Sequence, residues 1–315
     1  MQALVIDGGL AYQPDWPTPA PAAGEALVRV TLAGICGTDL ALVRGYHAFR
    51  GVPGHEFVGV VDQAPRADWV SRRVVAAINV GCGECPECRR QGPEHCATRR
   101  VLGILGRDGA FAELVAVPVA NLLPVPAALS DEQAVFAEPL AAALQIRQQG
   151  LLAPGDRVAV LGAGKLGLLA AQVAALDGAE VTVLARRPAG LGLARRLGLT
   201  AALADECAGG CDVVIEATGD PAGLDRALEL VRPRGTVVLK STFHGRASVD
   251  VSRAVVNEVR LVGSRCGLLA PALRLLASGA VRTQELIAAT YPLADGLAAF
   301  ARAAEPGGLK VLLRP

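Results

Sequence analysis

The chain has 315 residues, which is enough for two ordinary domains, and 52% of them are hydrophobic, so each domain can bury a core. Its 31 basic and 30 acidic residues leave a net charge of +1, and this balance excludes a nucleic acid or a membrane surface recognised through charge. The sequence contains no run of roughly 18 apolar residues, as a membrane helix needs, and no signal-peptide pattern at its start, so we expect a cytoplasmic protein.

The first 125 residues are predicted to form a β-rich domain. Short, mostly apolar and β-prone runs alternate there with turns rich in Gly and Pro. The predicted strands are residues 28–32, 57–62, 73–78 and 111–117. The pattern indicates a barrel-like domain with long loops.

The sequence pattern changes from β-prone to helical near Ser130. Ser130 and Gln133 have the spacing of a capping box and begin a helix that we expect to reach Gln149. From Arg157 onward, apolar strands alternate with helices, as in a doubly wound parallel sheet. The predicted strands are residues 158–161, 180–184, 212–217, 236–239 and 260–263, with a helix at 166–176.

The last part of the chain is predicted to return to the first domain. It contains a helix at 270–278, a turn at 291–293, a further helix and a strand at 309–313. The fold class is therefore α/β. One domain comprises residues 1–138 and 267–315, and the parallel-sheet domain comprises residues 139–266.

Four cysteines crowd into a lobe at residues 81–97: Cys82, Cys85, Cys88 and Cys96. Four thiolates on a loop containing Gly and Pro can surround one tetrahedral Zn²⁺, and they leave no coordination position for a substrate. The spacing therefore predicts a structural zinc that stabilises a lobe with little core of its own. The alternative is four reduced surface thiols, which would be exposed to oxidation.

A second group of metal-ligand candidates is spread along the chain. Cys36 lies in a Gly-rich segment and His55 lies in Gly-His-Glu-Phe, with eighteen residues between them, so they can meet only through the fold. A catalytic zinc has three protein ligands and one open position. The third ligand is a carboxylate, and the sequence leaves two candidates, Glu56 and Glu138.

The segment 158–167 carries the pattern G-x-G-x-x-G between an apolar strand and an apolar helix. In a dinucleotide site the first glycine makes the turn, the second admits the pyrophosphate and the third lets helix and strand pack closely, and the helix N-terminus faces the phosphates. The predicted cofactor-binding residues of this turn are Gly162, Gly164, Lys165, Leu166 and Gly167.

The position that reads the ribose favours NADP over NAD. An NAD site usually has a carboxylate at the end of the second strand, but this strand ends in Arg186 and Arg187. Two guanidinium groups suit a 2′-phosphate. Asp177 and Glu180 lie at the wrong end of the strand. The alternative is that both arginines are solvated and that either cofactor binds.

Taken together, these motifs resemble the zinc-containing medium-chain dehydrogenases, the superfamily of alcohol, sorbitol, threonine and archaeal glucose dehydrogenases. The resemblance covers essentially the whole chain. It implies a GroES-like catalytic domain, a Rossmann cofactor domain and two zinc ions per chain, one catalytic and one structural. The activity it implies is hydride transfer between NAD(P) and an alcohol or carbonyl substrate, with zinc polarising the substrate oxygen.

The resemblance also implies roles for individual residues. Cys36, His55 and Glu138 would hold the catalytic zinc, and Glu56 would lie in or beside the ligand set. Asp39 would orient His55, and Thr38 would take the proton from the substrate. Two further positions match family features near the cofactor: Lys310, which would approach its phosphates, and residues 240–244, which would lie near the nicotinamide.

The chain departs from the family pattern in one place that bears on mechanism. Many relatives carry a relay histidine two residues after the Thr-Asp pair, and this chain has Ala41 there; archaeal glucose dehydrogenases are similar in lacking it. Carboxylate ligation and few aromatic residues (3%) favour a polyol or sugar substrate. The family also implies a homodimer or homotetramer.

Three other functions stay open at this stage. The first is a zinc-free NADP-dependent reductase of the same superfamily. The second is a non-catalytic NADP-binding protein, against which the joint presence of Cys36, Thr38, His55 and Glu138 argues. The third is a nucleic-acid-binding zinc protein, which the near-neutral charge disfavours.

Overall fold

The computed structural model describes residues 1–242 and 247–315. The chain forms two compact units. The first unit comprises residues 1–138, 269–277 and 287–315, and the second comprises residues 139–268 and 278–286. Residues 267, 268 and 278–286 thus lie with the second unit. Part of the predicted nicotinamide loop, residues 243 and 244, falls outside the described residues.

The strands and helices of the described residues follow in chain order. The strands are β1 (Ala3–Ile6), β2 (Leu10–Gln13), β3 (Glu25–Gly34), β4 (Glu56–Gln63), β5 (Arg73–Ala76), β6 (Asn79–Val80), β7 (Arg100–Val101), β8 (Leu114–Pro118), β9 (Leu122–Pro124), β10 (Arg157–Leu161), β11 (Glu180–Ala185), β12 (Thr200–Leu203), β13 (Cys211–Glu216), β14 (Val231–Leu239), β15 (Arg260–Gly263), β16 (Ile287–Pro292) and β17 (Lys310–Arg314). The α-helices are α1 (Gly37–Val43), α2 (Pro86–Gln91), α3 (Asp131–Ala134), α4 (Ala137–Gln148), α5 (Lys165–Leu176), α6 (Ala189–Arg196), α7 (Gly223–Leu230), α8 (Val251–Val256), α9 (Leu269–Ala277) and α10 (Gly296–Ala303). Across residues 1–242 and 247–315, no helix has both the length and the apolar character that crossing a membrane requires.

The first unit is built on a sheet in the order β16-β17-β3-β4-β5-β9, with β8 also paired to β3. The long strand β3 pairs along one side with β4. Its other side pairs with β8 over residues 25–29 and with β17 at residues 33 and 34. The end of the chain therefore returns to the first unit. Phe111 and Phe300 meet edge to face in its core, with ring centroids 5.7 Å apart.

The second unit is built on a parallel sheet in the order β12-β11-β10-β13-β14-β15. The central strands are buried, as their near-continuous apolar sequences require of a sheet covered by helices on both faces. The order reverses direction at β10, which lies between β11 and β13. Ligands bind open α/β sheets at such a switch point, beyond the carboxyl ends of the strands. The predicted doubly wound sheet is confirmed.

The predicted helix from Ser130 to Gln149 is two helices, α3 and α4. Its start is as predicted, since Ser130 and Gln133 exchange capping hydrogen bonds of 3.3 and 3.0 Å. The break at residues 135–136 follows from Pro139, which lacks an N–H and would clash with the carbonyl four residues earlier in a continuous helix. In the first turn of α4 the same proline is tolerated. The break places Glu138 at the start of α4.

Candidate metal and cofactor sites

The pairing of β3 with β4 brings two distant ligand candidates together. Gly34, at the end of β3, lies opposite Glu56, at the start of β4. Cys36 follows β3 by two residues, and His55 immediately precedes β4. The register therefore places this thiol and this imidazole at one end of the sheet, although the sequence separates them by eighteen residues.

Cys36, His55 and Glu56 form a group of metal-binding size. One ligand atom from each lies within 4.8 Å of the others. Both His55 and Glu56 are buried, and Cys36 is partly buried. Sulfur, nitrogen and oxygen donors converging in a buried pocket are the donor set of a zinc site.

Asp39 fixes the positions of both Cys36 and His55. It lies in the first turn of α1, where its Oδ2 accepts the backbone N–H of Cys36 at 2.7 Å. Its Oδ1 lies 3.3 Å from Nδ1 of His55, within ion-pair distance, and among the described residues neither of these two buried atoms has a hydrogen-bond partner. A carboxylate at Nδ1 leaves Nε2 of the histidine for a metal, as ligating histidines generally require.

The charges around His55 favour a cation. Burial lowers the pKa of His55, but the Asp39 carboxylate and the Cys36 sulfur outweigh it, and the pKa is held well above its usual value. Three groups that carry negative charge when ionised, on Cys36, Asp39 and Glu56, thus surround one imidazole. A pocket of this kind suits a bound divalent cation.

Glu56 is also paired with a buried lysine. The Nζ of Lys310 donates to Oε2 of Glu56, and both side chains are only 1% exposed. Burial opposes the charge on Lys310, but attraction by Glu56, Cys36 and Glu138 raises its pKa. Gly34 makes room for this pair, since a Cβ there would lie 2.8 Å from Oε2 of Glu56 and 3.1 Å from Cδ of Lys310.

Replacing Lys310 by methionine is expected to lower the free energy of unfolding by about 3–5 kcal/mol, because it leaves the buried carboxylate of Glu56 without a counter-charge. Urea denaturation of protein dialysed against a chelator, so that no bound metal supplies another counter-charge to Glu56, is followed by tryptophan fluorescence and measures the loss. Both tryptophans, Trp16 and Trp69, belong to the first unit, so the signal reports on the unit that contains the change.

Arg302→Met provides the matched control for this prediction. Arg302 forms an exposed ion pair with Glu305 at the end of α10. Loss of an exposed pair costs less than about 1 kcal/mol. Equal losses in the two variants would contradict the assignment of a stabilising role to the buried pair.

Two other predicted site residues lie close to this group. The Oγ1 of Thr38 is 3.8 Å from Sγ of Cys36, so its hydroxyl is beside the ligand candidates. Glu138 is half-buried, and its charge acts on Lys310, but its oxygens are not within 4.8 Å of all the other candidate ligand atoms. Of the two predicted carboxylates, that of Glu56 belongs to the metal-sized group with Cys36 and His55.

The four lobe cysteines form the second metal-sized group. Their sulfurs lie within 4.8 Å of one another, and the sulfurs of Cys82 and Cys96 are 3.7 Å apart. A tetrahedral zinc with bonds of ~2.3 Å separates its sulfurs by about 3.8 Å. None of the eight cysteines is in a disulfide. The arrangement fits one zinc ion with no position open to a substrate.

Backbone N–H groups of the lobe point at these sulfurs. The N–H of Cys85 donates to Sγ of Cys82 and that of Cys88 to Sγ of Cys85, both at 3.4 Å. The hydroxyl of Thr98 lowers the pKa of Cys96, which favours the thiolate that zinc requires. Gly81 is needed for closure, since a Cβ there would lie 2.6 Å from Sγ of Cys88.

The Gly-rich turn of the second unit has the geometry that its motif predicts. Gly162 has φ +117°, and a Cβ would lie 2.6 Å from the carbonyl of Ala217. A Cβ on Gly167 would lie 2.0 Å from the carbonyl of Gly162, so the third glycine lets α5 pack on the turn. Gly164, by contrast, faces open space. That space is what a pyrophosphate would need.

The predicted residues Lys165 and Leu166 are the first two of α5, and Gly164 is its N-cap. The N–H groups at the start of a helix have no partner within the helix and favour an anion. The turn and the start of α5 both follow the carboxyl end of β10, at the switch point. They present an open glycine and backbone donors there.

Arg186 and Arg187 follow the last residue of β11 and are exposed. The two differ in their partners. Arg186 forms an ion pair of 2.8 Å with Asp220, whereas Arg187 has no ion pair with any described residue. Asp220 was not predicted from the sequence, although its place four residues after β13, at the same edge of the sheet, is a signal that could have indicated it.

Models of two protein families match the chain. The alcohol dehydrogenase GroES-like domain matches residues 22–127, and the zinc-binding dehydrogenase domain matches residues 166–278. The chain belongs to the zinc-binding alcohol dehydrogenase family, and the predicted resemblance and the predicted GroES-like and Rossmann folds are confirmed. It is an NAD(P)-linked alcohol dehydrogenase, which interconverts an alcohol and the corresponding carbonyl compound by hydride transfer.

Individual relatives agree along the whole chain. The L-galactonate-5-dehydrogenase of Escherichia coli is 33% identical and aligns with 88% of this chain and 87% of its own. A zinc-binding dehydrogenase of Sinorhizobium meliloti, solved bound to NADP, is 31% identical with a TM-score of 0.89 over 100% and 99% of the two chains. An alcohol dehydrogenase of E. coli CFT073, solved with NADH, is 29% identical with a TM-score of 0.90 over the same shares.

Proposed function

We propose that Cys36, His55 and a carboxylate hold a catalytic zinc and that the cysteine quartet holds a structural one. The observation that carries the first site is the convergence of sulfur, nitrogen and oxygen donors within 4.8 Å in a buried pocket. Glu56 is the carboxylate in this group. If Glu56 stays paired with Lys310, Glu138 is the alternative third ligand. Zinc bound there supplies Lewis-acid polarisation of the substrate oxygen.

The remaining steps are assigned to residues of this chain. Asp39 holds His55 through Nδ1 and Cys36 through its backbone N–H. The hydroxyl of Thr38, 3.8 Å from the Cys36 sulfur, accepts the proton that the alcohol loses. Bound NAD(P) would supply the nicotinamide ring that takes the hydride from the alcohol carbon. Because Ala41 stands in the relay position, no side chain at that position can take the proton onward from Thr38.

We propose that NADP is preferred over NAD. Arg187 is exposed and has no ion-pair partner among the described residues, and Arg186 stands next to it at the end of β11. Guanidinium groups bind phosphate through charge-assisted, often bidentate hydrogen bonds. The residues that end β11 and follow it directly include no carboxylate, which an NAD site usually has there to accept a hydrogen bond from the ribose 2′-hydroxyl.

Replacing Arg186 and Arg187 together by glutamine is expected to raise the Michaelis constant for NADP by roughly tenfold or more and to change that for NAD by less than about twofold. Steady-state kinetics with both cofactors checks this. The matched control replaces Arg195 and Arg196, two arginines at the other end of α6, by glutamine. Equal changes for NADP and NAD in the first variant would count against recognition of the 2′-phosphate.

The substrate that we propose is a polyhydroxylated alcohol, either a polyol or a sugar derivative. A carboxylate in the ligand set and the sugar-acid substrate in the name of one relative support this class. The deciding experiment is a screen of polyols, sugar acids, aldoses and simple alcohols with each cofactor, read at the absorbance of the reduced nicotinamide. Turnover confined to simple alcohols would overturn the proposed substrate class.

A cytoplasmic homodimer or homotetramer is proposed as the working state. β15 is the last strand of the parallel sheet and exposes Leu261. The neighbouring helix α8 exposes Val251, Val255 and Val256. An open strand edge and exposed apolar side chains are both features that a second copy would cover.

A further inference from the structure

The ion pair between Arg186 and Asp220 spans the carboxyl end of β10. Arg186 follows β11, and Asp220 lies in the loop after β13, and these two strands flank β10 on either side. The Gly-rich turn leaves the sheet from the end of β10. Its Gly162 donates to the carbonyl of Leu184, at the end of β11, at 2.9 Å. The pair therefore lies beside the turn where the proposed cofactor would bind.

Asp220 is held in place by a small network built on a buried carboxylate. Oε1 of Glu216 accepts from the backbone N–H of Thr218 at 2.8 Å and from its hydroxyl at 2.5 Å. The hydroxyl oxygen of Thr218 in turn accepts the N–H of Asp220 at 3.0 Å. Glu216 is only 3% exposed. The loop is thus built to a fixed shape, and Asp220 is positioned within it.

The two carboxylate oxygens of Asp220 have separate tasks. Oδ1 accepts the N–H of Ala222, just before α7, at 3.0 Å, and Oδ2 accepts from Nη1 of Arg186 at 2.8 Å. Asp220 thereby takes up one donor nitrogen, Nη1, of the guanidinium that the proposed function assigns to a 2′-phosphate. Its own negative charge also faces the position of that phosphate.

We propose that Asp220 is a specificity-determining residue that weakens the preference for NADP. The inference rests on the proposed recognition of the 2′-phosphate by Arg186 and Arg187. With NADP the phosphate would share Arg186 with the carboxylate of Asp220 and be repelled by that carboxylate. With NAD the ion pair persists, and the ribose 2′-hydroxyl meets no added charge. Asp220 thus keeps the affinities for NADP and NAD closer to each other than they would be with the two arginines alone.

Asp220→Asn tests the inference with little risk to the fold. Asparagine keeps an oxygen that can accept the N–H of Ala222, and it removes only the charge. Isothermal titration of the full-length, zinc-loaded protein with NADP⁺ and with NAD⁺ is the measurement. We expect NADP⁺ to bind roughly three- to tenfold more tightly and NAD⁺ to change by less than about twofold. The gain should shrink at high salt, because Arg186 is exposed and Asp220 is partly exposed to solvent.

Asp212→Asn is the matched control. Asp212 is also paired with an arginine, Arg232 at 2.6 Å, but it lies at the amino end of β13 and so at the opposite edge of the sheet. The two variants change the net charge equally. An equal gain in NADP⁺ affinity for both would overturn the role of Asp220, and so would no gain in Asp220→Asn.

Arg186→Gln separates this inference from the cofactor proposal. If Arg186→Gln weakens NADP⁺ binding and Asp220→Asn does not strengthen it, the arginine reads the phosphate and only the inference about Asp220 fails. If Arg186→Gln leaves NADP⁺ binding unchanged, Arg186 does not read the phosphate. Both the role of Arg186 in the cofactor proposal and the inference about Asp220 then fail. In the double variant, the gain from Asp220→Asn should be smaller than in the native background.

Discussion

Cys36→Ser is expected to reduce turnover by about 10³-fold or more while the protein remains folded. Serine replaces a thiolate by a hydroxyl that is protonated at neutral pH and is a poor zinc ligand. The zinc content should fall from two ions per chain to one. The expected loss of rate corresponds to several kcal/mol of transition-state stabilisation, the size of effect that metal polarisation of an oxygen supplies.

The fold should survive this substitution because few contacts depend on the Cys36 sulfur. The backbone N–H of Cys36, and not its side chain, binds Asp39, and serine keeps that N–H. The measurements are zinc per chain by elemental analysis, kcat/KM with NADP and the thermal unfolding temperature. Cys207→Ser, at a half-buried thiol of the second unit, is the control and should leave all three unchanged.

A Cys36→Ser enzyme that retained full activity would refute the catalytic metal site. A wild-type protein with no zinc at this site would favour the zinc-free reductase.

Much of the second unit was predictable because its strands have an unambiguous pattern. Residues 158–161 are apolar and residues 212–217 are mostly apolar, a pattern typical of a sheet buried on both faces, and they correspond to β10 and β13. The first and third glycines of the dinucleotide motif are required by sterics, since a side chain at Gly162 or Gly167 would collide with backbone. Residues whose types are fixed by local sterics are readable from sequence.

The elements that sequence analysis missed are short or lack a clear period. β12 has four residues, and β6 and β7 have two each. Such segments become strands only because a neighbouring strand supplies hydrogen bonds, which a single sequence does not show. Pro139 itself predicts the break between α3 and α4, because a proline is incompatible with a continuous helix through the preceding turn.

The candidate catalytic residues were predictable as types, but their partners were not. Glu56 and Lys310 are 254 residues apart, and they meet because both β4 and β17 pair with the end of β3. Sequence analysis placed Lys310 near the cofactor phosphates, and that role remains a prediction. Likewise, Arg186 was recognised at the end of β11, whereas its partner Asp220 depends on the strand order around β10.

Cys88→Ser is expected to have the opposite effect to Cys36→Ser: a loss of stability with little direct loss of catalysis. Three remaining thiolates hold zinc far more weakly than four, and the lobe at residues 81–97 has little core to hold it together without the metal. Zinc content should fall to one ion per chain. The lobe should then open to trypsin at Arg89 and Arg90, which follow the substituted residue in α2.

Limited trypsin digestion, followed by mass spectrometry of the fragments, measures this opening, and kcat per folded molecule is measured in parallel. Cys88→Ser should be cleaved at the lobe at least about tenfold faster than the native protein, because cleavage follows the population of the open form. Cys36→Ser and Cys207→Ser should be cleaved at the native rate.

If Cys88→Ser lost activity without faster cleavage, the quartet would be part of the catalytic machinery and its structural assignment would be wrong. If both single variants lost both zinc ions, the two groups of ligands would not be independent sites. The two variants together therefore distinguish a metal that performs chemistry from one that maintains structure, using the same substitution of sulfur by oxygen in each site.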